Sequence, residues 1–440
     1  MNLSRVKGLV LVLLLALDAA PGSAQTQDAE LTVSEAIAIA IETDPWLTGS
    51  RLTQAALTAE AIAAAALPDP RMNLMAGNFP VDSFDIDQEA MTQFSVSVSQ
   101  MFPRGDTLLL AKQKRLQLAL QHPLLREDRR AKVTATVVQL WLDAYNAQES
   151  IRLIEQDRSL FEQLVDSAQA SYASAVGRTR QQDVIRAQLE LTRLEDRLTV
   201  LAQQRETAQR RLSEWIGVPA RSPLRPVMPT EHTAKPVSIQ ASGQQRYEWV
   251  SNHPTLRALD MRIEAMETDV DLARQKYKPE WGLNAQYGYR HQDPLGRDRA
   301  DLFSVGVTFD LPIFTANRQD KAVSAAASRA ETIRTDKQLL IRRLMAELET
   351  ATVQLARLGE RRALYADQLL PQMAEQAEAA LAAYNNDDGD FAEAVRARIA
   401  ELNARIEALA IAVERQKTIA QINYLLAEAS PDAAQPLEDF

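Results

Sequence analysis

The charged side chains with the clearest chemical potential recur in two short segments of the chain. Asp183 precedes Arg186 by three positions, and Glu393 precedes Arg396 by the same spacing. Because side chains three residues apart share one face of a helix, each acid is able to pair with its arginine. Three further carboxylates lie in the turn YNNDDGDF, namely Asp387, Asp388 and Asp390. Grouped carboxylates attract cations, but Asn, Asp and Gly are also the usual residues of tight turns, so both explanations stay open.

No other pattern indicates a catalytic or metal-binding site. The chain has no cysteine, and its sequence contains no GxSxG, P-loop or HExxH motif. The four histidines are scattered beside prolines or in polar segments: His122, His232, His253 and His291. Four methionines near one predicted hairpin would suit copper, but methionine more often fills apolar sites: Met72, Met75, Met91 and Met101. We therefore predict a protein that is not an enzyme and has no cofactor or fixed metal.

Composition favours a helical, exported protein. The 440 residues include only 14 glycines, and 46% are hydrophobic. The formal net charge of −10 argues against a nucleic-acid partner. Arg5 and Lys7 precede an apolar run and then small residues, which predicts a signal peptide over residues 1–24. No other apolar run approaches the length of a membrane helix, so a membrane crossing would require strands.

The chain is an internal duplication, because it aligns with itself at a shift of 209 residues. The first copy occupies 25–216, a proline-rich connector occupies 217–240, the second copy occupies 241–428, and 429–440 form a flexible tail. The aligned pairs include Asp44-Pro45 with His253-Pro254, Pro70 with Pro279, Phe94-Ser95-Val96 with Phe303-Ser304-Val305, and Trp215 with Tyr424. We expect both copies to share one order of elements.

Each copy is predicted to contain a helix, a strand pair, a very long helix, a turn and a returning helix. Residues 106–172 would form about 100 Å of helix, interrupted at His122-Pro123. Apolar residues of the returning helices alternate spacings of three and four, as in a coiled-coil seam. The two seams are Val184, Ala187, Leu191, Leu194, Leu198 and Leu201, and Val395, Ile399, Leu402, Ile406, Leu409 and Val413.

The strand pairs lie near 70–102 and 279–312 and alternate apolar with polar residues. Strands of about ten residues are long enough to cross a bilayer, although hairpins packed on helices in a soluble protein are the alternative. We expect Val96, Val98, Val305 and Val307 to face lipid, and Ser95, Ser97, Ser304 and Thr308 to face a lumen. Four strands cannot close a barrel, so the chain must oligomerise; two copies would supply eight strands and three would supply twelve.

These features together resemble the TolC-like outer-membrane efflux protein family over almost the whole mature chain. The matching motifs are Asp44-Pro45 with His253-Pro254, the turn Pro68-Asp69-Pro70, the LPIF motif at Leu311–Phe314, and Tyr172 with Gly177 and Tyr384 with Gly389. The resemblance implies a mainly α fold of long coiled-coil helices with a small membrane β part. It also implies a homotrimer in the outer membrane, with a twelve-stranded β-barrel and a helical periplasmic tunnel. The implied partners are a periplasmic adaptor protein and an inner-membrane efflux pump.

The resemblance also places the turns at Gly177 and Gly389 at a periplasmic tip, where acidic residues line a constriction. Here the corresponding acids are Asp183 and Glu393, while Arg186 and Arg396 depart from a purely acidic gate. Residues 80–108 resemble the branch of the family that accompanies heavy-metal efflux pumps. The expected function is a passive exit duct, and the alternative is a periplasmic coiled-coil scaffold or adaptor. Strands of bilayer-spanning length favour the duct.

Overall fold

The computed structural model describes residues 30–173, 181–229, 237–386 and 389–430. The predicted signal peptide and most of the predicted tail lie outside these ranges, as do Gly177, Asp387 and Asp388. The helices are α1 (Val33–Glu42), α2 (Pro45–Ala65), α3 (Thr107–Ala173), α4 (Gln181–Ile216), α5 (Gly243–Ser251), α6 (Pro254–Gln275), α7 (Gln319–Leu364), α8 (Leu370–Asn385) and α9 (Phe391–Leu425). The strands are β1 (Arg71–Gly77), β2 (Gln93–Phe102), β3 (Trp281–Tyr289) and β4 (Leu302–Phe309).

Both halves of the chain have the same order of elements. In each half two helices lead to a strand pair, a very long helix leaves the strands, and a shorter helix returns. The long helix of the first half is α3, with 67 residues. Its counterpart consists of α7, a π-helical turn at Tyr365–Leu369 and α8, with 46, 5 and 16 residues. The two long rods therefore match in length, at about 100 Å each.

The repeated dipeptides Asp44-Pro45 and His253-Pro254 begin α2 and α6. The Asp44 carboxylate accepts a hydrogen bond from the Trp46 N–H at 3.0 Å, and the His253 imidazole accepts one from the Thr255 N–H at 3.4 Å. Proline then occupies the first helical position, where its missing N–H is not needed. The motif is thus a helix-start signal used at the same place in both halves.

One local prediction from proline is wrong. The helix α3 passes through Pro123 without the predicted interruption, and the neighbouring Leu124 is fully buried. Proline removes one hydrogen-bond donor, but packing of α3 against α2, α4, α6 and α9 outweighs that loss. At the start of the proline-rich connector, Val218–Arg221 form a short 3₁₀ turn in which Pro219 occupies a first-turn position.

Buried apolar residues form three clusters along the helices. The first joins α1, the middle of α3, the end of α4 and the connector around Trp141. The second contains most of the two predicted seams and packs α3, α4 and α9 together. The third packs α5, α7 and the end of α9. The seam prediction is confirmed, with Ala187, Leu194, Leu201, Val395, Leu402 and Ile406 buried in the second cluster.

The four strands form one antiparallel sheet in the order β1-β2-β3-β4. Pairing of β2 with β3 joins the two hairpins, from Phe94 opposite Tyr289 to Phe102 opposite Trp281. The strands contain 7, 10, 9 and 8 residues, so three are shorter than the predicted ten. The strands β1 and β4 are the two edges of the sheet.

Candidate functional site

One face of the sheet is apolar across all four strands. Residues opposite each other in an antiparallel pair point to the same side, and the register aligns Val98 with Ala285 and Ala285 with Val305. This face, called the apolar face below, is interrupted by Gln100. Its apolar members are Met72, Leu74, Ala76, Phe94, Val96, Val98, Phe102, Trp281, Leu283, Ala285, Tyr287, Tyr289, Phe303, Val305, Val307 and Phe309.

No helix in the described part of the chain covers the apolar face. Leu74 and Phe303 are each 71% exposed, and Val305 is 62% exposed. Hairpins packed on helices in a soluble protein would bury such side chains, because covering apolar area is what stabilises that packing. The structure therefore argues against the soluble alternative.

Aromatic side chains border the apolar face at both ends. Phe102, Trp281 and Phe309 lie side by side at the end nearest the helices, with the Trp281 and Phe309 ring centroids 5.0 Å apart. At the loop end, Phe94 lies opposite Tyr289. The two rows are about 27 Å apart along β3. Two aromatic rows that flank an apolar band are typical of strands at the two membrane–water interfaces.

The opposite face of the sheet is mostly small and polar. The four residues predicted to face a lumen lie on it together: Ser95, Ser97, Ser304 and Thr308. Met75 and Met101 also lie on this face but about six residue rows, or 20 Å, apart. Met72 points to the apolar face. The methionines near the hairpin therefore do not converge on one site.

The two loops that follow β1 and β3 dock against each other beyond the sheet. Arg299 donates hydrogen bonds to the carbonyls of Glu89 and Asp87, at 2.9 and 3.1 Å. The His291 imidazole contacts the Asp87 carboxylate. These contacts tie the two halves of the chain together at the end of the sheet opposite the helices.

The turn between α8 and α9 lies at the end of the helical rods farthest from the sheet. Tyr384 and Phe391 pack edge to face across it, with ring centroids 5.3 Å apart. A Cβ at Gly389 would lie 2.7 Å from the Tyr384 backbone nitrogen and 2.8 Å from the Ala383 carbonyl carbon. Glycine is therefore required because the end of α8 approaches closely. The Asp390 carboxylate caps α9 by accepting a hydrogen bond from the Ala392 N–H at 3.1 Å. This contact agrees with the explanation of Asp390 as a turn residue.

The predicted gate residues lie in the turns or just beyond them, and those whose side chains are described are exposed. Glu393 and Arg396 are both exposed on α9, and Arg186 is exposed on α4. The Arg396 guanidinium donates to the Ala392 carbonyl at 3.1 Å instead of pairing with Glu393. A backbone carbonyl four residues earlier on the same helix competes with the carboxylate for this side chain. Asp183 lies in the first turn of α4, and its side chain is outside the described set.

A buried charge cluster between α3 and α9 was not predicted. Asp157 and Glu401 are 7% and 8% exposed, and both accept hydrogen bonds of 3.0 Å from Arg405. Arg398 donates to Glu401 at 2.7 Å. The spacing of Arg398, Glu401 and Arg405 marks one helix face in the sequence, but their partner Asp157 lies 248 residues from Arg405. Sequence periodicity contains no signal for that contact.

The aligned motifs of the two repeats meet neighbouring residues of α3. Asp44 pairs with Arg129 at 2.7 Å, and the Arg129 guanidinium lies 5.2 Å from the ring of Trp215. In the second half His253 packs edge to face on Tyr424. Burial raises the pKa of the Tyr424 phenol, assisted by the nearby charge of Asp128, and burial lowers the pKa of His253. These groups hold the returning helices against α3 and serve as anchors, not as a reactive site.

Two classes of site have no representative in the described ranges. There, His, Cys, Asp and Glu side chains form no group of three or more that could hold a metal ion. Every helix in the described part of the chain is too short or too polar to cross a membrane.

Comparison with known proteins finds a family match in the second half of the chain. The sequence profile of the outer membrane efflux protein family matches residues 246–428, the second of the two repeats. The match covers less than half of the chain and marks the second repeat as similar to this family. No curated protein sequence matches it significantly. Members of this family are passive channels of the outer membrane and not enzymes.

Solved structures show the same fold at low sequence identity. A structure of CusC matches with a TM-score of 0.74 at 14% identity, covering 91% of this chain and 93% of that one. The CmeC outer membrane channel of Campylobacter jejuni matches with 0.74 at 13% identity, covering 91% and 87%. The open state of the MtrE outer membrane channel of Neisseria gonorrhoeae matches with 0.72 at 16% identity, covering 90% and 89%. The mainly helical fold with a four-stranded sheet is thereby confirmed.

Proposed function

We propose that this chain is an outer-membrane efflux protein, a homotrimeric exit duct whose twelve strands form a barrel and whose helices form a periplasmic tunnel. The supporting observation is the apolar face, which runs across the four-stranded sheet. The sheet has two open edges, formed by the strands β1 and β4. In lipid an open edge leaves backbone groups without hydrogen bonds, so each edge requires a neighbouring copy. The partners implied by the family are an adaptor, which connects the duct to an inner-membrane pump, and the pump itself, which expels the substrate into the duct.

The first prediction concerns assembly. In mild detergent, the mature protein should have the mass of three chains, and it should fractionate with outer membranes. The reason is that one chain supplies four strands, whereas a closed sheet in lipid requires at least about eight. Native mass measurement and membrane fractionation are the tests. A monomer recovered from the periplasmic fraction would refute the proposal and favour a scaffold or adaptor.

We also propose that the tip is held narrow by charges of neighbouring helices. The candidates are Asp183, Arg186, Asp387, Asp388, Asp390, Glu393 and Arg396. Glu393 and Arg396 are exposed, and no ion pair joins them within the described chain. A local pair would contribute only about 0.2–0.5 kcal/mol, whereas a pair between crowded helices is partly desolvated and is costlier to break. Both side chains are thus available to a neighbouring copy.

The second prediction tests this gate. Glu393→Lys or Arg396→Glu should raise single-channel conductance in planar bilayers, because each reversal turns an attraction across the axis into a repulsion. Combining the two reversals should restore part of the low conductance. Arg343→Glu, which changes an exposed pair on α7 well before the turn, is the control and should leave conductance unchanged. If the tip reversals also change nothing, Glu393 and Arg396 are solvated surface charges.

The proposed cargo follows from the resemblance of residues 80–108 to the heavy-metal branch, which predicts metal cations. A passive conduit needs no fixed ligand set, and the described residues contain no group that could hold a metal ion. An acidic tip would favour cations over anions by its field alone. The cation proposal therefore depends on the tip charges and not on a binding site.

A further inference from the structure

The segment between β4 and α7 exposes three large apolar side chains that nothing in the described chain covers. Leu311, Ile313 and Phe314 are 66%, 68% and 81% exposed. They follow Phe309, the last residue of β4 and a member of the aromatic row nearest the helices. Three exposed apolar residues within four positions, at the margin of a sheet, indicate a surface that meets something apolar.

The base of this segment is held in place. The Asp310 carboxylate accepts a hydrogen bond from the Glu280 N–H at 2.8 Å and also pairs with Arg104. The Ile313 N–H donates to the Leu311 carbonyl at 2.9 Å, which bends the chain between them. The three apolar side chains are therefore presented from an anchored turn, and less conformational entropy is lost when they are covered.

We propose that this segment is a clasp that packs on residues 67–72 of a neighbouring copy. The inference rests on the proposed trimer and adds to it a contact between copies outside the strand pairing. The receiving surface is also uncovered, since Leu67 is 51% exposed and Met72 is 69% exposed. This surface consists of the four residues before β1 and the first two residues of β1, the strand at the other edge of the sheet.

The internal repeat supplies the register between copies. At the shift of 209, β2 corresponds to β4 and β3 corresponds to β1, so the observed pairing of β2 with β3 is a template for β4 with the next copy's β1. Phe102 opposite Trp281 then becomes Leu311 opposite Met72. In this register Phe309 lies opposite Leu74, and both belong to the apolar face. The template thus continues the apolar face from one copy to the next.

Beyond Leu311 the contact must be made by side chains. Continuing the register places Ile313 opposite Pro70 and Phe314 opposite Asp69 of the next copy. Pro68, Pro70 and Pro312 have no N–H, so the ladder of backbone hydrogen bonds cannot continue past the strand ends. Ile313 and Phe314 are then positioned over the turn that contains Leu67. Burial of apolar area from both copies is what would hold this contact.

Cross-linking tests the clasp, because the chain contains no cysteine to interfere. The variant Asp69→Cys/Phe314→Cys, treated in native membranes with a short bismaleimide, should give covalent dimers and trimers in a denaturing gel. Each single variant should stay monomeric in that gel. The matched control Asp69→Cys/Val81→Cys should also stay monomeric, because Val81 is 87% exposed but lies in the loop at the opposite end of the sheet.

A second variant tests the energetic role. Phe314→Ser should lower the temperature at which the trimer dissociates, whereas Val81→Ser should leave it unchanged. If the double variant is a trimer by mass but gives no covalent oligomers, the clasp is wrong and the proposed duct stands. Reaction of Phe314→Cys with a lipid-borne thiol probe, without covalent oligomers, would assign the segment to lipid and overturn the clasp. Absence of a trimer by mass would overturn the proposed function and the clasp with it.

Discussion

Replacing Val305 with Arg should sharply reduce the yield of assembled protein in the outer membrane, whereas replacing the adjacent Ser304 with Arg should have little effect. Val305 lies on the apolar face opposite Ala285, between the two aromatic rows. An arginine on the lipid side at this depth costs about 2–4 kcal/mol, and a trimer would incur that cost three times. Ser304 lies opposite Gln286 on the polar face, where an arginine would stay hydrated.

The two variants are a matched pair, because they place the same residue at consecutive positions of one exposed strand. Strand propensity and chain length do not differ between them, and only the face of the sheet changes. Heat-resistant trimer recovered from outer membranes is the measurement. Equal yields of the two variants would show that the apolar face does not contact lipid.

A second large effect is expected at the buried charge cluster. Asp157→Ala removes a carboxylate that accepts a hydrogen bond from Arg405 and lies 3.9 Å from Arg398. Glu401 would then be the one acid of this cluster facing two guanidinium groups. Breaking a buried ion pair by removing one partner costs about 3–5 kcal/mol, and the partial exposure of both arginines places the expected loss near 3 kcal/mol.

The measurement is the free energy of unfolding of the helical part, followed by circular dichroism in urea at constant protein concentration. Arg158→Ala is the control on the same helix, since Arg158 pairs with Glu162 through side chains that are about half exposed. That surface pair should contribute little to the free energy of unfolding, because solvent screens both charges. Equal losses for Asp157→Ala and Arg158→Ala would contradict the assignment of a buried cluster.

Several features of the fold could be predicted because they depend on neighbours in sequence. The period of two in β2 and β4 and the three-four spacing of the seams report which side of each element is apolar. The dipeptides Asp44-Pro45 and His253-Pro254 act within one helical turn. Repetition of these signals at one shift was enough to predict two equivalent halves and a sheet that is incomplete in one chain.

Other features depend on which distant segments meet, and local patterns carry no record of that choice. Pro123 stays helical because α3 is packed along much of its length, and Arg396 turns to a backbone carbonyl although an acid lies three residues away. The pairing of β2 with β3, which joins the repeats into one sheet, is likewise a tertiary choice.

Periodicity and chain length were thus sufficient to predict the element types, their apolar sides, the duplication and the need for a partner copy. Three other features could be seen only in the folded structure: the order of the strands, the burial of Asp157 against Arg405, and the exposure of Leu311–Phe314. The physical reason is that contacts between distant residues are selected by burial and hydrogen-bond satisfaction over the whole fold. Spacing along the chain reports which residues share a face, but not what that face meets.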